Sequence, residues 1–235
     1  CIFKLCRFGY EALDMHKPFI FWKKDFFGAN TRIFQKVSLS FLCILLICCS
    51  QHSKNILIKQ SPNDNRMYRY LELTNKMRIL IASDLLSDKS AAALTVYRGS
   101  YHNPKSRPGL AHFLEHMLFL GTEKYPDVDE YSSYLRNNGG YSNAYTASDL
   151  TNYQFQVLPD AFEGAIDRFS QFFISPLFTE EYTAREVNAV NSEHQKNIMN
   201  DGWRRFRLSG IFAKEGHPEQ KFGTGNLETL GDIDR

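Results

Sequence analysis

The stretch GLAHFLEHMLFLGT constrains the fold most, because it places two histidines and a glutamate within an otherwise apolar run. Its apolar spacing predicts an amphipathic helix, with a proline suited to the first turn and a glycine suited to the exit. On such a helix His112 and His116 are four residues apart, which places their Cβ atoms about 5–6 Å from each other. Both imidazoles can therefore reach one ion, and Glu115 lies beside them.

The charge of the chain changes along its length, although the formal net charge is only +2. The first 50 residues hold seven Lys and Arg against three Asp and Glu, and the remainder holds 21 basic and 23 acidic residues. A body without a basic surplus lacks the electrostatic footprint of nucleic-acid binding, so we expect no nucleic-acid partner. With 235 residues and 43% hydrophobic content, the chain can bury a substantial core in one large domain.

The apolar segment VSLSFLCILLICC, residues 37–49, follows several basic residues and is too short to span a bilayer easily. This pattern is typical of the apolar region of a signal peptide. We therefore predict a leader over residues 1–50, a polar linker over 51–65 and a folded body over 66–235. The alternative is that the apolar segment is a buried strand or helix.

Export is the favoured location, and we expect the bacterial periplasm rather than the cytoplasmic side. A cysteine after LLI loosely resembles a lipoprotein cleavage site, so the leader also permits membrane anchoring through a lipid. All five cysteines lie within the first 49 residues. A metal site in the body must therefore use histidine and carboxylate ligands.

A catalytic zinc site needs three protein ligands and a carboxylate that accepts a proton from water. The first stretch supplies two ligands and the base, so a third ligand must come from another element. The predicted helix AREVNAVNSEHQKN offers Glu186 and Glu193, which are two turns apart and share a face. Unpaired carboxylates are costly to bury, and a cation would offset that cost. The residues alone leave both glutamates as candidates.

The secondary-structure pattern begins with strands and continues with a mixture of strands and helices. Alternation and turn signals predict strands over 67–73, 77–83 and 91–100, and two more within 141–157. Helical spacing follows in the histidine stretch and at about 127–137, 160–174 and 179–199. We therefore predict an α+β fold, with helices packed on one face of a mostly antiparallel sheet.

The order His-x-x-Glu-His resembles the inverted zinc motif of the pitrilysin/insulinase family of metallopeptidases, family M16. The segments SNAYTASDLTNYQF, REVNAVNSEHQKN and KFGTGNLETL also resemble signatures of that family, in the same order. The resemblance runs from about residue 66 to the C-terminus. It implies an insulinase or mitochondrial-processing-peptidase-like domain, which we expect to be incomplete at its C-terminal end.

The resemblance assigns a role to each residue of the predicted site. It implies that His112, His116 and Glu193 bind one Zn²⁺ per chain, and that Glu115 is the general base. Glu186 matches a second acidic residue that supports the ligands without binding the metal.

The same resemblance places Asn143 and Ala144 where the family holds the backbone of its substrate. An edge strand at GGYSNAYTAS would let an extended peptide add to the sheet through backbone hydrogen bonds. The alternative for this strand is ordinary sheet pairing.

These observations predict a zinc-dependent endopeptidase that hydrolyses peptides or small unfolded proteins with metal-activated water. Its expected partners are peptide substrates and the missing C-terminal half of the same polypeptide, which completes the site in the family. One alternative is a non-catalytic family member that acts as a binding or assembly subunit. Others are a lipid-anchored zinc-binding receptor and a purely structural role for the histidines and glutamates.

Overall fold

The protein is described here by a computed structural model, which covers residues 2–6 as backbone and residues 58–231 in full. The predicted signal-like segment at 37–49 lies outside the described residues, as does the predicted linker up to residue 57, so both stay predictions. Among the described residues, no helix combines the length and the apolar character needed to cross a membrane.

Within the described residues, six strands form two three-stranded sheets. They are β1 (Ile2–Cys6), β2 (Met67–Glu72), β3 (Arg78–Ser83), β4 (Ser90–Val96), β5 (Tyr141–Thr146) and β6 (Thr151–Val157). The strand orders are β1-β3-β2 and β4-β6-β5, and every pairing is antiparallel except that of β1 with β3. The mostly antiparallel α+β fold is confirmed, although the strands form two sheets and β1 lies in the segment predicted as leader.

Six helices account for the remaining regular structure of the described residues, together with three short 3-10 turns. The helices are α1 (Leu110–Met117), α2 (Glu130–Asn137), α3 (Phe162–Gln171), α4 (Glu180–Asn197), α5 (Asp201–Ile211) and α6 (Leu227–Leu230). The predicted helices are present, with ends that differ by a few residues from the sequence pattern. Helix ends are the least well defined part of a helical pattern, because end residues lack intrahelical hydrogen bonds.

Helix α1 is shorter than the apolar run that predicts it. Gly109 is its N-cap with φ of 90°, so Pro108 lies before the helix rather than in its first turn. After Met117 the chain forms a tighter, 3-10-type turn, in which the Leu120 amide donates to the Met117 carbonyl oxygen three residues back. Gly121 then takes φ of 93°, a left-handed conformation that suits glycine, and ends the turn.

The second sheet carries the larger of two hydrophobic cores, which we call the aromatic core. Alternate residues of β6 point to one face, where Tyr153, Phe155 and Val157 are all buried. Helices α2 and α3 pack on that face and bury further aromatic side chains, namely Tyr131, Phe162, Phe169 and Phe172, the last of which follows α3. Burial of this many large apolar side chains is the main stabilising contribution expected in this part of the chain.

The smaller core, which we call the helix core, joins α1 to α4. It consists of Phe113 and Met117 from α1, Val187 and Val190 from α4, and Leu230 from α6. Because these side chains interdigitate, the polar residues on the neighbouring faces of α1 and α4 are brought together. The helix core therefore sets the positions of the predicted site residues.

Candidate metal centre

Helix α1 presents its two histidines side by side. The ring centroids of His112 and His116 are 4.7 Å apart, with the ring planes at 81°. Their Nε2 atoms are 3.2 Å from each other. The spacing of four residues on one helix therefore brings the two rings together as the sequence predicts, and both rings direct Nε2 towards one point.

Helix α4 brings a carboxylate to the same point. Oε2 of Glu193 lies 3.5 Å from Nε2 of His112 and 3.6 Å from Nε2 of His116. A tetrahedral zinc ion with ligands about 2.0–2.1 Å away needs donor atoms about 3.3 Å apart, which these three separations approach. Two imidazoles and one carboxylate also form a ligand set that catalytic zinc sites use. The donor atoms present therefore fit a zinc ion.

Hydrogen bonds fix which nitrogen of each ring faces that point. Nδ1–H of His112 donates to the carbonyl oxygen of Thr224 over 2.8 Å, and Nδ1–H of His116 donates to Oε1 of Glu186 over 2.7 Å. Carbonyl and carboxylate oxygens only accept, so each Nδ1 carries a proton and each Nε2 is left to bind an ion. Such partners orient metal-binding histidines and raise their basicity.

The charges around His116 favour a cation at the site. Burial alone lowers the pKa of His116, but its contacts with Glu186 and Glu193 outweigh burial and raise the pKa to about 9. The contact with His116 in turn lowers the pKa of Glu193, although burial opposes this. Without a metal, a proton on His116 therefore offsets the carboxylate charge, and a divalent ion would compete for the same position.

Glu115 precedes His116 on α1 and is not among the three residues whose donor atoms converge. It is only 7% exposed, and its Oε2 accepts a 2.6 Å hydrogen bond from the hydroxyl of Thr146 in β5. The three donor atoms that converge belong to His112, His116 and Glu193. The carboxylate of Glu115 lines the same cleft, as a general base must if it is to reach a water molecule there.

The cleft in front of these residues has a volume of about 1540 Å³. Strand β5 forms one wall, including the predicted substrate-binding residues Asn143 and Ala144. In the described part of the chain β5 pairs only with β6, so its other edge is free to pair with an added strand. Aromatic side chains also line the cleft, with Trp203 and Phe206 of α5 among them.

The structure adds two groups that the sequence prediction does not include. Thr146 could have been found from strand periodicity, since it lies on the same face of β5 as Ala144 and two residues further on. The carbonyl of Thr224 carries no sequence signal, because every residue type has a backbone carbonyl. His194 follows Glu193 but is not among the converging donors, and its ring contacts the ring of Phe222, with centroids 4.9 Å apart.

Comparisons with known proteins found similar sequences and similar structures. Residues 78–215 match the family model described as Insulinase (Peptidase family M16). The chain is 54% identical over 173 residues to insulin-degrading enzyme of Homo sapiens, covering 74% of this chain and 17% of that protein. It is 52% identical over 173 residues to a Schizosaccharomyces pombe protein whose name contains the words zinc protease. That match covers 73% of this chain and 18% of the Schizosaccharomyces pombe protein.

A solved structure is also similar. The crystal structure of pitrilysin matches with a TM-score of 0.73 and 41% identity, covering 77% of this chain and 19% of that one. The chain thus spans less than a fifth of the length of the relatives that it matches.

Proposed function

The chain belongs to the insulinase family, peptidase family M16, and from this premise we propose that it carries the zinc-binding site of a metalloendopeptidase. The observation that supports the proposal best is the convergence of His112, His116 and Glu193 at zinc spacing, with buried Glu115 beside them. The proposed substrates are peptides or small unfolded proteins.

Each residue of the site has one proposed task. His112, His116 and Glu193 would hold a single zinc ion, which when bound would activate water and polarise a peptide carbonyl. Glu115 accepts the proton of the attacking water and later passes it to the leaving amine. The hydrogen bond that Thr146 donates to Oε2 of Glu115 would hold this carboxylate in place for both steps.

The free edge of β5 supports a peptide substrate. An extended chain that adds beside Asn143 and Ala144 would form backbone hydrogen bonds, which depend little on side-chain identity. Such pairing requires the substrate to be unfolded locally, because a residue within a folded sheet or helix has its backbone groups already bonded. The aromatic side chains that line the cleft would contact the substrate side chains.

We further propose that another part of a longer polypeptide completes this site. Trp203 is 45% exposed and Phe206 is 57% exposed in the cleft wall, which is a large exposure for such side chains. The relatives extend far beyond the region matched by this chain, so they contain polypeptide that could cover such a wall. Closure of this kind would exclude water and hold the peptide near the attacking group.

The proposal is tested by measuring zinc and peptide cleavage together on the full-length protein. Zinc content is measured by inductively coupled plasma mass spectrometry, and cleavage is followed with an internally quenched, unstructured peptide. We expect a single zinc ion per chain, and cleavage that a chelator abolishes and added zinc restores. Zinc binding without cleavage would instead identify a binding or assembly subunit, and cleavage that resists chelation would contradict the zinc chemistry.

Two histidines that line the cleft provide a matched pair of variants for the same experiment. His116→Ala should lose both zinc and cleavage, because it removes a proposed ligand. His194→Ala should keep both, because His194 packs on Phe222 and is not among the converging donors. Equal loss in the two variants would contradict the proposed ligand set.

A further inference from the structure

The segment Gly223–Leu230 lies beyond the residues matched by the family model, yet it contacts both helices of the metal centre. We propose that this segment, which we call the clamp, is a positioning element that sets the distance and orientation of the zinc ligands. The inference rests on the proposed zinc site and assigns it residues that do not themselves bind the metal. Three separate contacts of the clamp carry the argument.

The first contact is backbone against backbone at the start of α1. Gly109 and Gly225 both have positive φ, of 90° and 84°. A Cβ added to Gly109 would lie 2.2 Å from Cα of Gly225, and one added to Gly225 would lie 3.2 Å from Cα of Gly109 and 2.6 Å from Cδ1 of Leu230. A side chain at Gly109 would therefore push the clamp away from α1, and one at Gly225 would press on both Gly109 and Leu230, in addition to the strain of the left-handed conformation.

The second contact follows directly from the first along the chain. Thr224 precedes Gly225, and its carbonyl oxygen accepts the 2.8 Å hydrogen bond from Nδ1–H of His112. His112 lies one turn after Gly109 on α1. The glycine pair therefore fixes the carbonyl that orients the first proposed ligand.

The third contact joins the clamp to α4, which carries Glu193. The Leu227 amide donates to Oδ1 of Asn191 on α4 over 3.2 Å. Leu230 is fully buried in the helix core, where it meets side chains of both α1 and α4. Asn226 holds the clamp in shape, because its side chain accepts from the Thr229 amide over 3.0 Å.

The clamp thus bridges α1 and α4 on the side where their ligands meet. A displacement of the clamp would turn the ring of His112 and change the gap between the two helices. Loss of groups that orient metal ligands typically lowers metal affinity by about 10- to 100-fold. Because no ligand is altered, the expected effect appears in zinc affinity itself and does not depend on measuring activity.

The test compares Gly225→Ala with a matched control in the full-length protein, using zinc affinity from competition with a chromogenic chelator. Gly216→Ala is the control for backbone strain, since Gly216 has φ of 77° but no atom within 4 Å of an added Cβ. We expect Gly225→Ala to weaken zinc binding by about 10- to 100-fold, and Gly216→Ala to match the parent protein.

A milder variant keeps the proposal testable if Gly225→Ala does not fold. Asn226→Ala removes the cap of α6 without adding any atom, and we expect a smaller but measurable loss of zinc affinity while circular dichroism stays unchanged. Unchanged zinc affinity in folded Gly225→Ala or in Asn226→Ala would overturn the clamp proposal alone. Absence of zinc binding in the parent protein would instead overturn the proposed function.

Discussion

In the aromatic core, Phe169 is 1% exposed and its ring contacts those of Phe155, Phe172 and Phe173 at centroid distances of 5.2–5.9 Å. Such a region gains its stability from the removal of apolar surface from water and from aromatic contacts. It holds together without any ligand.

The metal centre is built in a different way. His112, His116 and Glu193 direct three lone-pair donors at one point, and the helix core behind them is small. Three acceptor atoms that face one another repel unless a proton or a cation lies between them. This region therefore depends on an ion for its full stability.

From this difference we expect the aromatic core to be stable without a ligand and the proposed zinc ion to add stability to the metal centre. Changes in the aromatic core should alter stability equally with and without zinc. Changes in the metal centre should alter zinc binding or catalysis and leave the aromatic core intact. The following predictions test this separation.

The largest expected effect is on catalysis. Glu115→Gln should lower kcat of the full-length protein by about 10²- to 10⁴-fold, because the amide cannot accept the proton of the attacking water. Zinc content should stay at the parent value, and Glu123→Gln on the exposed surface should change neither quantity. Loss of zinc in Glu115→Gln would show that Glu115 is a ligand rather than the base.

The next largest effect is expected in the aromatic core. Phe169→Ala should lower the free energy of unfolding by about 3–5 kcal/mol, because it leaves a cavity among buried rings. Urea denaturation should give the same loss in the zinc-free and zinc-loaded protein. Phe212→Ala is the control, because Phe212 is 84% exposed and should have little effect. A loss that depended on zinc would contradict the separation of the two regions.

Zinc itself should stabilise the protein by a smaller amount. At a free concentration of 100 times its Kd, zinc should raise the free energy of unfolding by about 2.7 kcal/mol. Hydrogen exchange measured by mass spectrometry should show local openings suppressed in α1, α4 and the clamp. Suppression confined to β6 and α3 would contradict this prediction, because these two elements belong to the aromatic core.

The smallest expected effect comes from the residue that holds the proposed base. Thr146→Val should lower the free energy of unfolding by about 1–3 kcal/mol, because Oε2 of buried Glu115 loses its donor. It should also lower kcat with KM and zinc content unchanged, and Thr146→Ser should restore kcat. If Thr146→Ser behaved like Thr146→Val, the methyl group rather than the hydroxyl would be the important feature.

The sequence predicts the elements of the fold better than their arrangement. Alternation and turn signals predict β2 to β6, and the more and less buried residues alternate clearly along β4 and β5. The strand predicted over 91–100 ends at Val96, where the chain turns and the Arg98 amide donates to the Val96 carbonyl oxygen. The division into two sheets is set by long-range pairing, which local patterns do not encode.

The same limit applies to the site. The spacing within α1 predicts the histidine pair, since both residues lie on one helix. The third ligand lies on another helix, so residue patterns leave Glu186 and Glu193 open and only the resemblance separates them. In the structure the two glutamates approach different nitrogens of His116. The distance between helices, which no local pattern contains, produces this distinction.

The most direct measurement of the central claim is the zinc content of Glu193→Gln beside that of the parent protein. We expect the parent to hold a single zinc ion per chain, and Glu193→Gln to release it, because a neutral amide oxygen is a poor replacement for a carboxylate ligand. Glu181→Gln, an exposed change at the start of the same helix, should retain the ion. Parent-level zinc in Glu193→Gln would contradict the assignment of His112, His116 and Glu193 as the metal site.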